Sequence, residues 1–293
     1  MTINLSHRGI CVSDLEASRR FYCDGLGFEP HADHGIVEGP EMEQTMELPG
    51  VRLRPVMLRH PDGPVIELLH FLSPPAFGPR ERRSTIQYGL VHLSFRVDDM
   101  DEAAERLRAA GGHVFEHTRA HYPEGGATML YCTDPDGVRI ELMKLDGLTA
   151  GFSHSGVCVE SVDKSMPYYE ALGFAPAENH VLDGGFAWLA TVNEIPGIKL
   201  RAQMMRDAAG NTIELLETYE PSSFGPRERR AINQLGLTHL AFWVDDVDAE
   251  AARLEAAGGS WANHTRVRTP GIELHHGADR DGVRIELMRP TAS

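Results

Sequence analysis

The sequence predicts an α+β fold of four βαβββ modules that form two curved mixed sheets. Three observations lead to this prediction: a repeat that relates the two halves of the chain, a second repeat within each half, and a recurring order of strand, acidic helix and turn-bounded strands. The 293 residues are enough for two ordinary domains, and 42% hydrophobic with 24% charged residues is normal for a globular chain with a core.

The long repeat has an almost constant spacing. The segment AFGPRERRSTIQYGLVHLSF at 76–95 matches SFGPRERRAINQLGLTHLAF at 223–242, a shift of 147 residues. The same shift relates LSHRGICVSDLEAS to FSHSGVCVESVDKS and MELPGVRLRP to NEIPGIKLRA, and it falls to 145 at DPDGVRIELM and DRDGVRIELM. We therefore predict a first domain at 1–146 and a second at 150–293, each made of two modules.

Each module begins with a short strand rich in β-branched or apolar residues, as in HRGICV, VHLSFRV, HSGVCV and THLAFWV. An acidic helix follows. In the first module it places Leu15, Ser18, Phe21 and Tyr22 near one face, and DDMDEAAERLRAAGG and DDVDAEAARLEAAGG end at paired glycines. The turn signals HPDGP, DPDGV, DAAGN and DRDGV then lead into an apolar strand that carries a glutamate.

Histidine and glutamate recur at fixed places in the modules. The first strand of each module carries a histidine, and the last carries a glutamate in the string IEL: His7, His92, His154 and His239, with Glu67, Glu141, Glu214 and Glu286. A single histidine or glutamate on a strand is usually exposed or satisfied locally, but an unpaired carboxylate among Ile, Leu and Val is costly to bury. The fourfold recurrence therefore favours a divalent metal ion as the partner: Zn, Ni, Co, Mn or Fe(II).

Charge and composition exclude several classes of partner. The formal net charge is −15 and no run of Lys or Arg is long, which argues against binding to nucleic acid or to an anionic membrane. No apolar stretch reaches the roughly 18–20 residues that span a bilayer, and the first residues read as a strand rather than a signal peptide. Four cysteines without a CxxC pattern indicate reduced thiols in a cytoplasmic protein, and either a monomer or a homodimer is expected.

The strings SHRGICVSDLEASRRFYCDGLGF, GLVHLSFRVDDMDEAAERLRAAGG and YCTDPDGVRIELM, with their second copies, resemble the vicinal oxygen chelate superfamily. That family includes glyoxalase I, methylmalonyl-CoA epimerase, extradiol dioxygenases and fosfomycin/bleomycin resistance proteins. The resemblance implies that paired modules enclose a metal, held by the eight residues named above, which chelates two vicinal oxygens of a small substrate. Family members build each site either within one copy or between copies, and the sequence leaves this choice open.

Three functions follow from the resemblance. Glyoxalase- and epimerase-like lyases or isomerases use four protein ligands, and their final glutamates, here Glu141 and Glu286, also move a proton. Iron(II) extradiol dioxygenases use two His and the final Glu; Tyr131 and Glu141 fit their signature, whereas His121 lies slightly too far upstream. The third function is a non-catalytic binding or resistance protein. Because Glu67 and Glu214 are present, the ligand set favours the lyase or isomerase, with Tyr131 or His276 as a further acid–base group or a plain strand residue.

Other positions beside the ligands are candidates for substrate binding. Glutathione-dependent relatives place an Arg four residues after the first His and an Asn four residues after the first Glu, but this chain has Cys11 and Cys158, and Phe71 and Thr218. The cysteines share the inward face with His7 and His154, as substrate contacts or as core filler. Arg80 and Arg227, with the other arginines of the FGPRERR strings, either clamp a substrate anion or connect the modules.

Overall fold

The computed structural model describes residues 3–122 and 125–292. Its α+β architecture confirms the predicted fold class: each module contributes a first strand, a helix and a set of antiparallel strands. No helix among the described residues combines the length and apolar character needed to cross a membrane.

The first module adds a short second helix to the predicted pattern. In chain order its elements are β1 (Ile3–Val12), α1 (Leu15–Arg20), β2 (Glu29–Asp33), β3 (Val37–Glu38), α2 (Pro40–Met46), β4 (Arg52–Arg59) and β5 (Val65–Ser73). Asp14 caps α1 by accepting from the Ala17 amide. After α1 the chain makes a π-helical turn over Phe21–Gly25. The four residues predicted to share one face, Leu15, Ser18, Phe21 and Tyr22, are all buried.

The second module follows the predicted order. Its elements are β6 (Gly89–Arg96), α3 (Met100–Ala109), β7 (His113–Val114), β8 (Ala120–Tyr122), β9 (Ala127–Thr133) and β10 (Arg139–Leu145). Asp99 accepts from the amides of Asp101 and Glu102 and so begins α3.

The second half of the chain repeats both arrangements. The third module contains β11 (Gly151–Cys158), α4 (Val162–Ala171), β12 (Ala175–Leu182), α5 (Ala187–Asn193), β13 (Lys199–Arg206) and β14 (Thr212–Glu220). The fourth contains β15 (Gly236–Val244), α6 (Val247–Ala256), β16 (Ser260–Trp261), β17 (Val267–Thr269), β18 (Ile272–Ala278) and β19 (Arg284–Pro290). The helix α5 therefore corresponds to α2.

Each sheet combines modules from both halves of the chain. Within the described residues, the first sheet runs β16-β18-β19-β15-β1-β5-β4-β2, so it joins module four to module one, and the second runs β12-β13-β14-β11-β6-β10-β9-β7, so it joins module three to module two. The predicted domains 1–146 and 150–293 thus each supply one module to each sheet. Antiparallel pairing of β1 with β15, and of β6 with β11, places two first strands side by side at the centre of each sheet.

The main core lies where the two sheets and four of the helices meet. Its apolar side chains come from all four modules, including Ile10, Leu93, Val157 and Leu240. On the same side of β1, the buried Arg8 donates from Nε to the Ser155 hydroxyl on β11 at 3.0 Å and so links the two sheets. Because side chains alternate along a strand, the neighbouring His7 points to the opposite, concave face. The functional candidates are therefore on the faces turned away from the core.

Candidate metal centres

The structure brings the eight predicted ligands together as two sets of four, each drawn from both halves of the chain. Site A consists of His7, Glu67, His239 and Glu286. The Nε2 atoms of His7 and His239 are 3.2 Å apart, and both lie 3.5–3.7 Å from Oε2 of Glu67 and of Glu286. The sequence left open whether each site forms within one copy or between the two copies. In the structure each set of four is formed between the copies.

Site B consists of His92, Glu141, His154 and Glu214, and it repeats this arrangement. The Nε2 atoms of His92 and His154 are 3.1 Å apart. Glu214 Oε2 lies 3.4 Å from both nitrogens, and Glu141 Oε2 lies 3.5 Å from that of His154. The imidazoles are almost completely buried, and the side chains of Glu67 and Glu214 are 15% and 16% exposed. Each site is therefore a small polar cluster within an apolar surround.

The spacing of these atoms fits a bound cation. Metal–nitrogen and metal–oxygen bonds of about 2.0–2.2 Å put neighbouring ligand atoms roughly 3.0–3.5 Å apart in octahedral or tetrahedral coordination. The observed separations of 3.1–3.7 Å match that range or slightly exceed it. The donor atoms of His7, His239 and Glu286 in site A, and those of His92, His154 and Glu214 in site B, all lie within 4.8 Å of one another. The donor set of two imidazoles and two carboxylates suits a divalent first-row metal.

Hydroxyl groups orient three of the four imidazoles. Nδ1 of His7, His154 and His239 lies 2.9–3.2 Å from the hydroxyl oxygen of the preceding residue, which is Ser6, Ser153 or Thr238. A hydrogen bond at Nδ1 fixes the ring and leaves Nε2 free as a ligand. His92 follows Val91, and its Nδ1 has no hydrogen-bond partner in the part of the chain that is described. Its Nε2 nevertheless points to the same centre.

Two glycines make room for the histidine rings. Gly9 lies opposite His239 in the β1–β15 pairing, and Gly156 lies opposite His92 in the β11–β6 pairing. A Cβ atom on either glycine would stand 2.1 Å from Cε1 of the facing imidazole. Any larger residue at these positions would therefore displace a ligand.

The final glutamates each face one of the two predicted acid–base candidates. Strand pairing sets Glu141 on β10 opposite Tyr131 on β9, and Glu286 on β19 opposite His276 on β18. His276 Nε2 lies 3.5 Å from Glu286 Oε1. In site B, Ser94 also donates to Glu141 Oε2 at 2.7 Å, whereas the matching residue in site A is Ala241. The two sites share their ligands but differ around the final glutamate.

Burial and neighbouring charges shift the pKa values of the ionisable groups around each site in different directions. Burial raises the pKa of Glu286 to about 7 and also raises that of Glu141. It lowers the pKa of His239 to about 3, and that of His276 falls well below its usual value. Burial alone would raise the pKa of Glu67, but the charge and the hydrogen bond of His7 bring it below its ordinary value. Burial thus disfavours the charged forms of the final glutamates and of His239, and a bound cation would favour ionised carboxylates and neutral imidazoles in their place.

Short helices that the sequence did not predict form a roof over each concave face. The helix α2 contacts β17 and β18 of the other module in its sheet, and Gln44 donates to the Arg266 carbonyl at 2.8 Å. The helix α5 contacts β8 and β9, and its Val192 packs with Tyr131 and Ala120. Pro40, at the first position of α2, is a residue that often begins a helix and could have indicated α2 in the sequence.

Each roof helix ends in a glutamate that forms a cluster with basic residues, and we call these clusters latch A and latch B. In latch A, Glu47 accepts from Arg229 at 2.6 Å and from Arg284 at 3.1 Å, and His264 Nε2 lies 2.8 Å away. In latch B, Glu194 accepts from Arg82 at 2.6 Å, with His117 Nε2 also at 2.6 Å. These glutamates are not among the residues predicted from the sequence, although the repeated MELPG and NEIPG strings contain them.

The predicted cysteines line the walls beneath the roofs. Cys11 packs in an apolar cluster with Met46, Leu53, Leu69 and Phe71. Cys158 lies in the matching cluster of the second sheet and contacts the Ser223 hydroxyl at 3.3 Å. Burial raises the pKa of both thiols to about 12, so they are neutral wall residues. All four cysteines are free.

Three other predicted residues contact groups outside the two sites. Arg80 donates to the Ser13 hydroxyl at 3.0 Å and lies 3.5 Å from Asp136. Arg227 lies 2.9 Å from Glu160 and 3.3 Å from Asp281. These contacts favour the role of connecting modules over that of clamping a substrate. His121 is exposed and contacts the Thr128 hydroxyl, and it therefore lies outside site B. This agrees with its spacing in the sequence, which is too long for a dioxygenase ligand.

Comparison with known proteins gives a consistent result. One family model for the Glyoxalase/Bleomycin resistance protein/Dioxygenase superfamily matches residues 4–142, and a second with the same description matches residues 153–275. A lactoylglutathione lyase of Haemophilus influenzae is 29% identical over 157 residues, which cover 52% of this chain and all of that protein. A lactoylglutathione lyase of Salmonella typhimurium is 31% identical over 144 residues, 48% of this chain and 93% of that protein.

Solved structures agree on the fold. Glyoxalase I from Zea mays superposes with a TM-score of 0.66 at 18% identity, covering 98% of this chain and 92% of that one. A putative dioxygenase from Bacillus subtilis superposes with a TM-score of 0.58 at 14% identity, covering 98% and 84%. Together with the two family matches, the matched fold confirms the resemblance: the chain belongs to the Glyoxalase/Bleomycin resistance protein/Dioxygenase superfamily and carries two of its domains in tandem.

Proposed function

We propose that this protein is a divalent-metal-dependent lyase or isomerase that moves a proton next to a carbonyl group of a small molecule with vicinal oxygens. The observation that carries the proposal is the convergence of two His and two Glu in each site, with the final Glu facing Tyr131 or His276. Curated relatives named lactoylglutathione lyase support a lyase, each over about half of this chain.

The ligand residues of site A and site B would hold one ion each. Such an ion, which we propose to be Zn, Ni, Co, Mn or Fe(II), would act as a Lewis acid toward the vicinal oxygens of the substrate. Glu67 and Glu214 lie on strands of the first and third modules, where Met57 and Met204 are their cross-strand neighbours. Because no acid–base side chain faces them across the strands, we assign these two glutamates to metal binding alone.

Glu286 and Glu141 are the residues to which we assign proton transfer. Each is buried, and each has a second polar residue opposite it that can hold or relay a proton: His276 beside Glu286, and Tyr131 beside Glu141. The apolar wall around Cys11 and the roof helix α2 would limit the access of water to a substrate bound at site A. Proton transfer at the substrate carbon would therefore pass through these residues, which exchange their protons with solvent between turnovers.

The substrate is expected to differ from a glutathione adduct. The wall positions from which glutathione-dependent relatives hold the tripeptide are occupied here by the buried Cys11 and Phe71, and by Cys158 and Thr218. A neutral thiol and an aromatic ring offer no partner for a carboxylate. We therefore propose a smaller oxygenated compound as the substrate of both sites.

Metal analysis combined with hydrogen exchange tests this function. The protein, purified anaerobically and loaded in turn with Zn²⁺, Ni²⁺, Co²⁺ and Mn²⁺, should catalyse deuterium incorporation from D₂O next to the carbonyl of α-hydroxy ketones. The double variant Glu141→Gln with Glu286→Gln should abolish this exchange while the fold is retained. Metal binding without deuterium exchange on any α-oxygenated carbonyl compound would contradict this function and favour a non-catalytic binding or resistance protein.

An iron(II) ring-cleaving dioxygenase is the second candidate, favoured by one observation. Tyr131 faces the final ligand Glu141 from the strand position that the extradiol signature requires. Oxygen uptake with catechols by the iron(II)-loaded protein, absent in Tyr131→Phe, would support this candidate. Its absence, together with deuterium exchange, would support the lyase or isomerase.

A further inference from the structure

The two latches place paired arginines close to the metal sites. In latch A, Arg284 lies two residues before Glu286 on β19, so both side chains are on the same face of the strand and about 7 Å apart along it. Arg229 reaches the same carboxylate from the FGPRERR loop. Beside latch B, Arg139 precedes Glu141 in the same way and Arg82 comes from the matching loop, but only Arg82 donates to Glu194, whereas Nε and Nη2 of Arg139 donate to the Arg83 carbonyl. The positions of the arginines are thus repeated at both sites, and latch A alone holds its glutamate with two of them.

Charge is unbalanced in latch A. Latch A contains two guanidinium groups and one carboxylate, that of Glu47, all with limited exposure. Among the described residues, Arg229 Nη1 and Arg284 Nε are buried without a hydrogen-bond partner. In latch B, Arg82 Nη1 and Arg139 Nη1 are likewise buried and have no partner within the described ranges. Buried cationic donors that lack acceptors indicate room for a further anionic oxygen.

The glutamate of each latch is attached to a small roof element rather than to the sheet. Glu47 ends the seven-residue helix α2, and Glu194 ends the seven-residue helix α5. Both adopt left-handed backbone conformations, with φ of 56° and 59°, which non-glycine residues seldom adopt. A cleft of about 400 Å³ reaches latch A and is lined by Met46, Glu47, Leu48, Arg229 and Arg284, among others. The carboxylate is therefore held in place by its arginines and can be approached from solvent.

We propose that the arginine pairs Arg229–Arg284 and Arg82–Arg139 bind an anionic group of the substrate, and that Glu47 and Glu194 occupy this position while the roof is closed. The ligand is then a small compound with vicinal oxygens at one end and a carboxylate or another oxyanion about 7 Å away. Displacing the glutamate would free the roof helix, so one anionic group serves both recognition and opening. This inference rests on the proposed function, since it places the other end of the ligand at the metal.

Hydroxamates, which chelate metals through two oxygens, provide matched probes. In the Co²⁺-loaded His154→Ala protein, where only site A is complete, we would titrate acetohydroxamate and the monohydroxamate of succinate and measure both dissociation constants. Glu47→Gln should tighten binding of the carboxylated probe at least tenfold relative to acetohydroxamate, because the arginine pair is vacated. Glu220→Gln, which removes an exposed carboxylate paired with Lys199, is the matched control and should change neither.

Variants of the arginines complete the test. Arg284→Gln and, independently, Arg229→Gln should remove the preference for the carboxylated probe. Equal changes for both probes in Glu47→Gln would show that the glutamate only holds the roof, and would overturn the proposal while metal chelation stands.

A metal-free arm separates this inference from the proposed function. Succinate, compared with sodium chloride at equal ionic strength, should speed hydrogen exchange of the amides in 40–46 in the unsubstituted protein but not in Arg284→Gln. If the hydroxamates fail to bind but succinate acts in this way, the metal function fails and the anion site stands. If succinate has no effect on the exchange, the anion site is refuted.

Discussion

The Nε2 atoms of His7 and His239 lie 3.2 Å apart although 232 residues separate these histidines in the sequence. The pairing of β1 with β15 creates this contact, and the pairing of β6 with β11 creates the equivalent contact of His92 with His154. Each candidate metal site thus depends on both halves of the chain. Loss of either half would be expected to remove both sites.

Metal content should therefore respond to histidine variants by site and not by domain. The unsubstituted protein should bind about two ions per chain, and His7→Ala or His239→Ala should each reduce this to about one, because either removes a ligand from the same buried set. The double variant of His7 and His239 should also retain about one ion, whereas His7→Ala with His92→Ala should retain almost none. Elemental analysis after dialysis measures this. Additive losses for His7 and His239 would contradict the pairing.

The glycines opposite the ligands give a prediction that leaves every ligand in place. Gly9→Ala should push the ring of His239 away and weaken metal binding at site A about 10–100-fold, and Gly156→Ala should do the same at site B through His92. Competition with a chromophoric chelator measures both affinities. Each variant is the control for the other, because the unaffected site should keep its affinity. Similar affinities at both sites in both variants would mean that the strands shift to accommodate the methyl group.

The residues that meet in the two candidate sites could be predicted from the sequence because their signal is local. His7 and its repeats follow from the first strand of each module, and Glu67 and its repeats follow from the string IEL in the last. The way in which the four modules pair is not local. Only five residues separate β10, which ends at Leu145, from β11, which begins at Gly151, and this short connection keeps module three beside module two. The fifteen residues between Ser73 and Gly89 allow module two to enter the other sheet.

The roofs and latches could not be predicted from the sequence for a different reason. The helices α2 and α5 have seven residues each, too few for a clear helical periodicity. Glu47 and Glu194 are ordinary surface residues by type, and their importance comes from arginines about 180 and 110 positions away. A repeated residue in a pocket wall becomes interpretable only when its partners are known. The differences between the sites, such as Ser94 against Ala241, likewise required the geometry.

Tyr131 is predicted to contribute to proton transfer at site B. In a His239→Ala background, where site B alone is complete, Tyr131→Phe should slow deuterium exchange at least about tenfold, because a positioned acid–base group typically contributes about 10²–10⁴-fold. Metal content should not change, since Tyr131 is outside the ligand set. Tyr122→Phe is the matched control: its ring stacks on Trp188 in the same roof at 4.6 Å, away from the ligands. Equal rates in the two variants would limit Tyr131 to packing.

Two buried aspartates predict a loss of stability as the pH rises. Asp134 accepts from the amides of Asp136 and Val138 and from the Tyr22 hydroxyl, and Asp279 has the same partners in the repeat, with Tyr169 in place of Tyr22. Burial raises the pKa of each carboxyl from 3.8 to about 7. The folded protein then binds more protons than the unfolded chain between these values, so stability that is complete below pH 3.8 is lost as the pH rises through about 7.

Replacing these carboxyls by amides should remove that loss. Asp134→Asn and Asp279→Asn keep an oxygen for the backbone amides and cannot ionise. For each variant we subtract the unfolding free energy of the unsubstituted protein from that of the variant. This difference should be larger at pH 8 than at pH 5 by about 1–4 kcal/mol. Urea unfolding with EDTA present measures both free energies, and the subtraction cancels the titrations that the two proteins share. Asp207→Asn is the control, because Asp207 accepts the same kind of turn amides from a half-buried position. A difference that does not change with pH would show that Asp134 and Asp279 keep their charge when buried.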